Sequence, residues 1–261
     1  MNNIHPSSLI DDSAILGDDI TIGPFCTIGP NVKLGDGCKL TSHVVIERDT
    51  SIGKQNAFHP FCIIGMDPTD KKYQQQETTL EIGDGNTFRE SVSVHRGTVE
   101  GGAVTMIGND NLFMGYVHIA HDCIIGNHTV LANYVGLSGH VSINDYAILG
   151  GQVGVVQFLK IGSHAYIGGG SVIDKNVPPF STGYGNRLEI KGVNIVGLKR
   201  RGFSRPEISA ISDAHRLFFR SGLSEVEALR QIEAELGESR FDDQKLRPKS
   251  KSRIAANSPR L

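Results

Sequence analysis

Residues 107–173 read IGNDNLFMGYVHIAHDCIIGNHTVLANYVGLSGHVSINDYAILGGQVGVVQFLKIGSHAYIGGGSVI. Every sixth residue is apolar: Ile107, Phe113, Ile119, Ile125, Leu131, Leu137, Ile143, Leu149, Val155, Ile161, Ile167 and Ile173. An earlier run keeps the same step from Ile4 through Ile10, Leu16, Ile22, Ile28, Leu34, Leu40, Ile46, Ile52 and Phe58 to Ile64. With 39% apolar residues overall, two unbroken runs of this length arise by chance with odds below roughly one in a hundred million. A period of six matches neither the 3.6 of an amphipathic helix nor the two of a half-buried strand. It is the hexapeptide signature of a parallel β-helix, an all-β solenoid in which each hexad makes one short strand and a turn. Three hexads close a triangular coil, so residues 18 apart stack at the spacing of neighbouring strands, about 4.8 Å.

Working outward from that repeat, glycine often follows the aliphatic position, as at Gly17, Gly23, Gly29, Gly35, Gly53, Gly108, Gly126 and Gly150. The expectation is a tight turn that needs a permissive backbone. Cys26, Cys38, Cys62 and Cys123 each lie four residues past an aliphatic position, a slot held elsewhere by Ala14, Val32, Val44, Thr129, Val135, Val141 and Ala165. They read as small interior filler rather than disulfide partners or metal ligands, which suits a reducing compartment. Segments 66–81 and 99–106 interrupt the repeat and are expected to be loops inserted into the solenoid. After Pro178-Pro179 the hexads stop, and residues 204–221 and 224–237 have helical spacing with Ser204 and Ser224 as N-caps. The expected division is a solenoid over 1–190 and a C-terminal helical domain over 191–261.

Composition excludes several classes. No run of ~18 apolar residues is present to span a membrane. The opening MNNIHPSSLI lacks the basic and apolar regions of a secretory signal, so a cytoplasmic location is expected. A formal net charge of −2 argues against general nucleic-acid binding. Residues 245–261 hold six Lys/Arg and no acid, leaving 20 basic against 28 acidic residues in the rest; such a tail reads as solvated.

Chemistry concentrates around residues 118–122, His118-Ile-Ala-His121-Asp122. A step of 18 stacks His121 on Gly139 and then Gln157, Asp122 on His140, and His118 on Gly136 and Gly154. Three histidines and a carboxylate thus converge on one side of adjacent coils, with no side chain at Gly139 to block access. Zinc-binding solenoids resembling the gamma-class carbonic anhydrases use an H-x4-H pair, and no two histidines here are five apart, so no metal is expected. A neutral imidazole in this setting can take a hydroxyl proton near neutral pH. The N–H of Gly139, expected to be exposed, is placed to receive the negative charge developing on an acyl carbonyl.

The stretches FMGYVHIAHDCIIGN (113–127), LANYVGLSGHVSI (131–143), VNIVGLKRRGFS (193–204) and MDPTDKKY (66–73) together resemble the UDP-N-acetylglucosamine O-acyltransferases that open lipid A biosynthesis. The resemblance runs from about residue 4 to about residue 237. It implies a left-handed coil, a cytoplasmic homotrimer with sites between neighbouring solenoids, and no bound cofactor. The implied reaction moves a 3-hydroxyacyl group from the phosphopantetheine of acyl carrier protein to the sugar 3-position of UDP-N-acetylglucosamine. By the same resemblance His121 is the base, Asp122 orients it, and Gly139 is the oxyanion donor. His118, His140, Gln157, Asp70 and Lys72 are implied to contact substrate. Asn194 and Arg201 are implied to contact the nucleotide, Arg201 through its donor fork, and Arg200 to face the carrier protein.

Gly151 and Gly169 stack below Asn133 and leave a shallow groove. Gly169 matches the position that limits acyl-chain length in the family, and Tyr166 is a second residue able to close that groove. Two positions depart from the family pattern. Val156 stands where a histidine is usual, and Val196 where a glutamate is common and an apolar residue occurs in relatives that acylate a 3-amino sugar. The alternatives are therefore amide formation on the 3-amino analogue, a CoA-dependent hexapeptide acyltransferase, and a non-catalytic divergent paralogue.

Overall fold

The computed structural model describes residues 1–236; the basic segment 245–261 lies outside the described residues. The chain winds as a left-handed parallel β-helix whose three faces are sheets of 11, 9 and 8 strands, stacked in parallel along the solenoid except for the last strand of the first sheet, which is antiparallel. Most strands are two residues long, one side chain pointing out and the next in. The second face, which carries the site, runs upward as Ser93–His95, His118–Ile119, Gly136–Leu137, Gly154–Val155 and Val172–Ile173. Register is in steps of 18 there: His118 pairs with Gly136, and Gly136 with Gly154.

Past the first coil, a hexad typically buries two side chains, the aliphatic residue and the small one four positions later, and together they form one continuous core. The four cysteines are free and buried in that small slot, where loss of water pushes the Cys62 and Cys123 thiols up to about 12. Phe58, Phe88 and Phe113 fill the wider inward positions as a ladder with ring centroids 4.8 and 4.9 Å apart, the rise of one coil. A ladder of buried polar groups runs along one corner. The Asn86 amide donates to Asn56 Oδ1 at 3.0 Å, and the Asn111 amide to Asn86 Oδ1 at 2.9 Å. The Thr129 hydroxyl donates to Asn111 Oδ1 at 2.7 Å, so these buried groups satisfy one another.

The expectation for the glycines is corrected by the structure. Those after the aliphatic position do not need an unusual φ; they are places where coils touch. A Cβ on Gly23 would stand 1.5 Å from the Thr41 carbonyl oxygen, and one on Gly35 2.6 Å from that of Gly53. The left-handed conformation falls two residues later and is adopted by ordinary residues, among them Phe25, Asn31, His43, Asp122, Tyr134, His140 and Phe158. A side chain in that conformation is strained, but here the turn amide is bonded to the coil below, as from His140 N–H to the His121 carbonyl at 3.0 Å.

Of the two interruptions, the first leaves the coil after the strand Ile63–Met66 and returns at Thr79–Ile82. The second consists of the 3-10 turn Val99–Gly101 followed directly by the strand Val104–Ile107. Between them Ile82, Phe88 and Val94 complete a coil of their own. Past the solenoid, a closing hairpin pairs Ser181–Tyr184 with Glu189–Val193. Helices α1 (Ile195–Arg200), α2 (Arg205–Arg220) and α3 (Glu225–Leu236) follow. Ser204 caps α2 in a reciprocal pair with Glu207, and Ser224 exchanges bonds with Glu227 at the start of α3. A second small core of Phe180, Leu198, Ile208 and Ile211 seats α1 and α2 on the last coil.

Candidate active site

The corner that follows the second face brings His118, His121, Asp122, Gly139 and His140 together. Asp122 and His140 occupy left-handed turn positions, φ 60° and 62°, which direct their side chains toward one another across adjacent coils. Asp122 Oδ2 lies 2.7 Å from His121 Nδ1 and 3.6 Å from His140 Nε2. The carboxylate side chain is 1% exposed, a burial tolerable only because its lone pairs are met. The Thr98 amide donates to Oδ1 at 2.7 Å and its hydroxyl to Oδ2 at 2.6 Å. The Asp122 N–H donates to the Thr105 hydroxyl at 2.8 Å, which stands in for the carbonyl of an uninterrupted coil. A Cβ on Gly101 would fall 2.0 Å from the Asp122 carboxyl carbon, so the 3-10 turn closes over the carboxylate.

Thr98, Gly101 and Thr105 were not legible in the repeat because they lie in, or directly before, the segment that breaks it. The ligand atoms of His121, Asp122 and His140 lie within 4.8 Å of one another, a spacing also open to a metal ion. The Asp122 oxygens, however, already accept from Thr98 and His121.

The His121 ring lies directly over Gly139, where a Cβ would come within 2.5 Å of the imidazole Cε1. Gly139 is consequently buried rather than exposed, a correction to the expectation of an open amide. Among the described residues no acceptor is paired with its N–H, and its carbonyl accepts from Phe158 N–H at 3.2 Å. His118 Nδ1 is 2.9 Å from the Ser93 hydroxyl. Burial, reinforced by His95 and His121, pushes its pKa below the ordinary imidazole value. Burial also lowers the pKa of His140 against the opposing pull of Asp122, and the exposed Phe158 ring stacks on it at 4.4 Å.

A cavity of about 490 Å3 opens on this corner, lined by Thr69, His118, His121, Ser138, Gly139 and Val156 and by the column Gly136, Gly154 and Val172. Nothing lies within 4 Å of a Cβ at Gly136 or Gly154, so the column is a trough running up the second face beside His121. Gly151 and Gly169 stand on the opposite edge of that face; a Cβ on Gly169 would meet the Gly151 carbonyl oxygen at 3.0 Å. Asp70 lies near enough for its charge to act on His140, and its carboxylate accepts from the Lys72 amide at 2.8 Å. Lys72 and Gln157 are exposed, and Gln157 does not line the cavity.

Asn194, Arg200, Arg201, Tyr166 and Val196 gather elsewhere, around a cavity of about 500 Å3 between the first face and α1. Asn194 caps α1: its Oδ1 accepts from Gly197 N–H at 3.0 Å and its amide donates to the His164 carbonyl at 2.9 Å. Arg201 donates to the Tyr146 carbonyl at 2.9 Å and lies over that residue's ring at 5.2 Å. Tyr166, three residues before Gly169, lines this second cavity. The two sets of implied site residues thus occupy different parts of one chain.

A family model described as UDP-N-acetylglucosamine O-acyltransferase, domain 2, matches residues 176–246. A bacterial transferase hexapeptide model matches residues 13–48 and 105–139. The chain is similar to the solved LpxA of Acinetobacter baumannii, with 46% identity over 93% of this chain and 94% of that one and a TM-score of 0.90. It is similar to the UDP-N-acetylglucosamine O-acyltransferase of Moraxella catarrhalis, with 45% identity over 88% and 90% and a TM-score of 0.86. The UDP-N-acetylglucosamine acyltransferase of Arabidopsis is 36% identical over 89% and 90%, with a TM-score of 0.79.

Proposed function

The chain belongs to the UDP-N-acetylglucosamine O-acyltransferase family, and from that membership we propose that it transfers a 3-hydroxyacyl chain from acyl carrier protein to the 3-hydroxyl of UDP-N-acetylglucosamine, the step that opens lipid A biosynthesis. The observation that carries this reading is a carboxylate-oriented imidazole, His121 Nδ1 at 2.7 Å from Asp122, at the mouth of an open trough. An imidazole whose Nδ1–H is held by a carboxylate presents Nε2 as the free lone pair.

In the reaction, Nε2 of His121 takes the proton of the sugar 3-hydroxyl while that oxygen attacks the thioester carbon. Negative charge on the former carbonyl oxygen is met by the unpaired Gly139 N–H. Collapse of the intermediate breaks the carbon–sulfur bond, and the phosphopantetheine sulfur leaves with the proton held by His121. Burial keeps His118 and His140 neutral above their lowered pKa values, so they serve as hydrogen-bonding groups for the substrate beside Asp70, Lys72 and Gln157. The trough over Gly136 and Gly154 suits an extended acyl chain, and Gly151 and Gly169, on the far edge of the same face, are read as its distal limit.

The second cavity fits the nucleotide and the donor's arm. Arg201 offers a fixed guanidinium for phosphate, Arg200 faces the acidic carrier protein, and Asn194 shapes the wall. Because the two cavities lie apart on one chain, a complete site calls for the corner of one copy against the helical end of another, as a homotrimer provides. A donor on acyl carrier protein and a nucleotide-sugar acceptor both call for a cytoplasmic protein; among the described residues no helix is long and apolar enough to cross a membrane.

Val196, 62% exposed at the second cavity, favours a second reading in which the acceptor is the 3-amino analogue and the product an amide. Mass spectrometry of products from both acceptors with 3-hydroxyacyl carrier proteins separates the two. The ester on UDP-N-acetylglucosamine is the expected product, and an exclusive amide product overturns the first reading in favour of the second.

A further inference from the structure

Arg96 is the largest fully buried side chain among the described residues, 1% exposed, with a full charge. A guanidinium is tolerated there only where most of its donors are met; both terminal nitrogens find partners, while Nε has none among the described residues. Its partners are the Gly65 carbonyl, on the strand that leads into the first inserted segment, and, within that segment, the Asp67 carboxylate and the Tyr73 hydroxyl at 3.3 Å. The Arg96 amide donates to the Met66 carbonyl at 3.0 Å, and the neighbouring His95 ring holds the Asp67 carbonyl at 2.6 Å. Tyr73 passes the hold onward, its hydroxyl donating to the Gln76 carbonyl at 2.9 Å.

One buried cation therefore grips the segment at its start and at its middle, from the coil directly beneath His118. Between the two grips lie Thr69, which lines the His121 cavity, and Asp70 and Lys72. We propose that Arg96 is a positioning residue for acceptor binding, a clamp that sets Asp70 and Lys72 over the His121 cavity. The proposal rests on the reading of those two residues as contacts to the nucleotide sugar. Three partners in different directions require the planar fork of arginine; a lysine ammonium keeps the charge but not the span.

Arg96→Lys tests the fork, and Asp67→Asn tests the same clamp without disturbing a buried position, since the Asp67 side chain is 49% exposed. Both variants are compared with wild type in the full-length chain. The loop carries its own probe, because Lys71 and Lys72 are trypsin sites inside the clamped span. The expected result is faster cleavage there, and a KM for UDP-N-acetylglucosamine raised by about tenfold with kcat changed much less, the effect of losing one charge-assisted bond. In a double-mutant cycle, adding either change to Lys72→Ala is expected to raise KM little further, because both act through one loop. Unaltered cleavage and KM in Asp67→Asn and Arg96→Lys, beside a raised KM in Lys72→Ala, overturn the clamp alone. Full additivity with Lys72→Ala also overturns it, by reducing Arg96 to a structural role. An unchanged KM in Lys72→Ala itself overturns the substrate reading of the loop, and the proposal with it.

Discussion

His121 faces the cavity rather than the hydrophobic interior, so His121→Ala opens no void in the core. The expected outcome is a kcat lower by about 10²–10⁴-fold, the usual contribution of a general base, with an unchanged melting temperature. Steady-state rates and a thermal melt check it together; a rate within about threefold of wild type removes His121 from the mechanism. His164 gives a stability prediction of opposite character. It is 4% exposed, its Nδ1 has no partner among the described residues, and burial together with Arg201, opposed by Asp145, lowers its pKa to about 4. The unfolded chain protonates this histidine near 6.5 while the folded chain does not. Stability is therefore fully present above that value and is lost progressively as pH falls from about 6.5 toward 4. His164→Phe, joining the stacked Tyr146 and Phe180 rings, is expected to flatten the melting temperature over that window; a variant as acid-sensitive as wild type assigns the loss to other groups. Both histidines lie on the repeat, but only the cluster around His121 was legible as chemistry, because stacking by 18 brings its members together. Thr98 and Thr105 reach Asp122 from an insertion whose path the period cannot give.

At the scale of the coil, the glycines separate two physical demands that look alike in sequence. Gly23→Ala drives a Cβ against the backbone of the next coil, which cannot yield without opening the stack. The expected loss is roughly 1–3 kcal/mol, as for overpacking, read as a lower urea midpoint. Gly136→Ala meets nothing within 4 Å and is expected to leave the midpoint alone while narrowing the trough. Equal destabilisation by the two changes contradicts the coil-contact account. The hexad period made the faces and the interior filler legible, and its end, followed by helical spacing behind the Ser204 and Ser224 caps, did the same for the long helices. It could not show which turn residue takes positive φ, since Asp122, His140 and Phe158 share no residue type and are bent by coil-to-coil bonding. The short helix α1 was hidden for a related reason: six residues leave no periodicity, and its signal is the Asn194 cap.

At the scale of the whole molecule, the proposed function runs the acyl chain along the edge of the second face that carries Gly151 and Gly169. Gly169→Met is expected to fill the distal end of the trough and move the preferred donor to a chain shorter by about three or four methylenes, at about 0.8 kcal/mol each. The profile of kcat/KM across hydroxyacyl carrier proteins reports it, and an unaltered profile shows that the groove ends elsewhere, with Tyr166 the next residue to change. The separation of the His121 cavity from the Asn194 and Arg201 cavity is the larger matter, because the proposed function needs both in one reaction. His121→Ala and Arg201→Ala should each be inactive alone. Co-expressed with distinct tags and purified as mixed assemblies, they recombine an intact His121 from one copy with an intact Arg201 from its neighbour. The account predicts recovery of about a third of wild-type activity, since one of the three interfaces in every mixed trimer pairs the two intact residues. Mixed assemblies as inactive as either parent would contradict it.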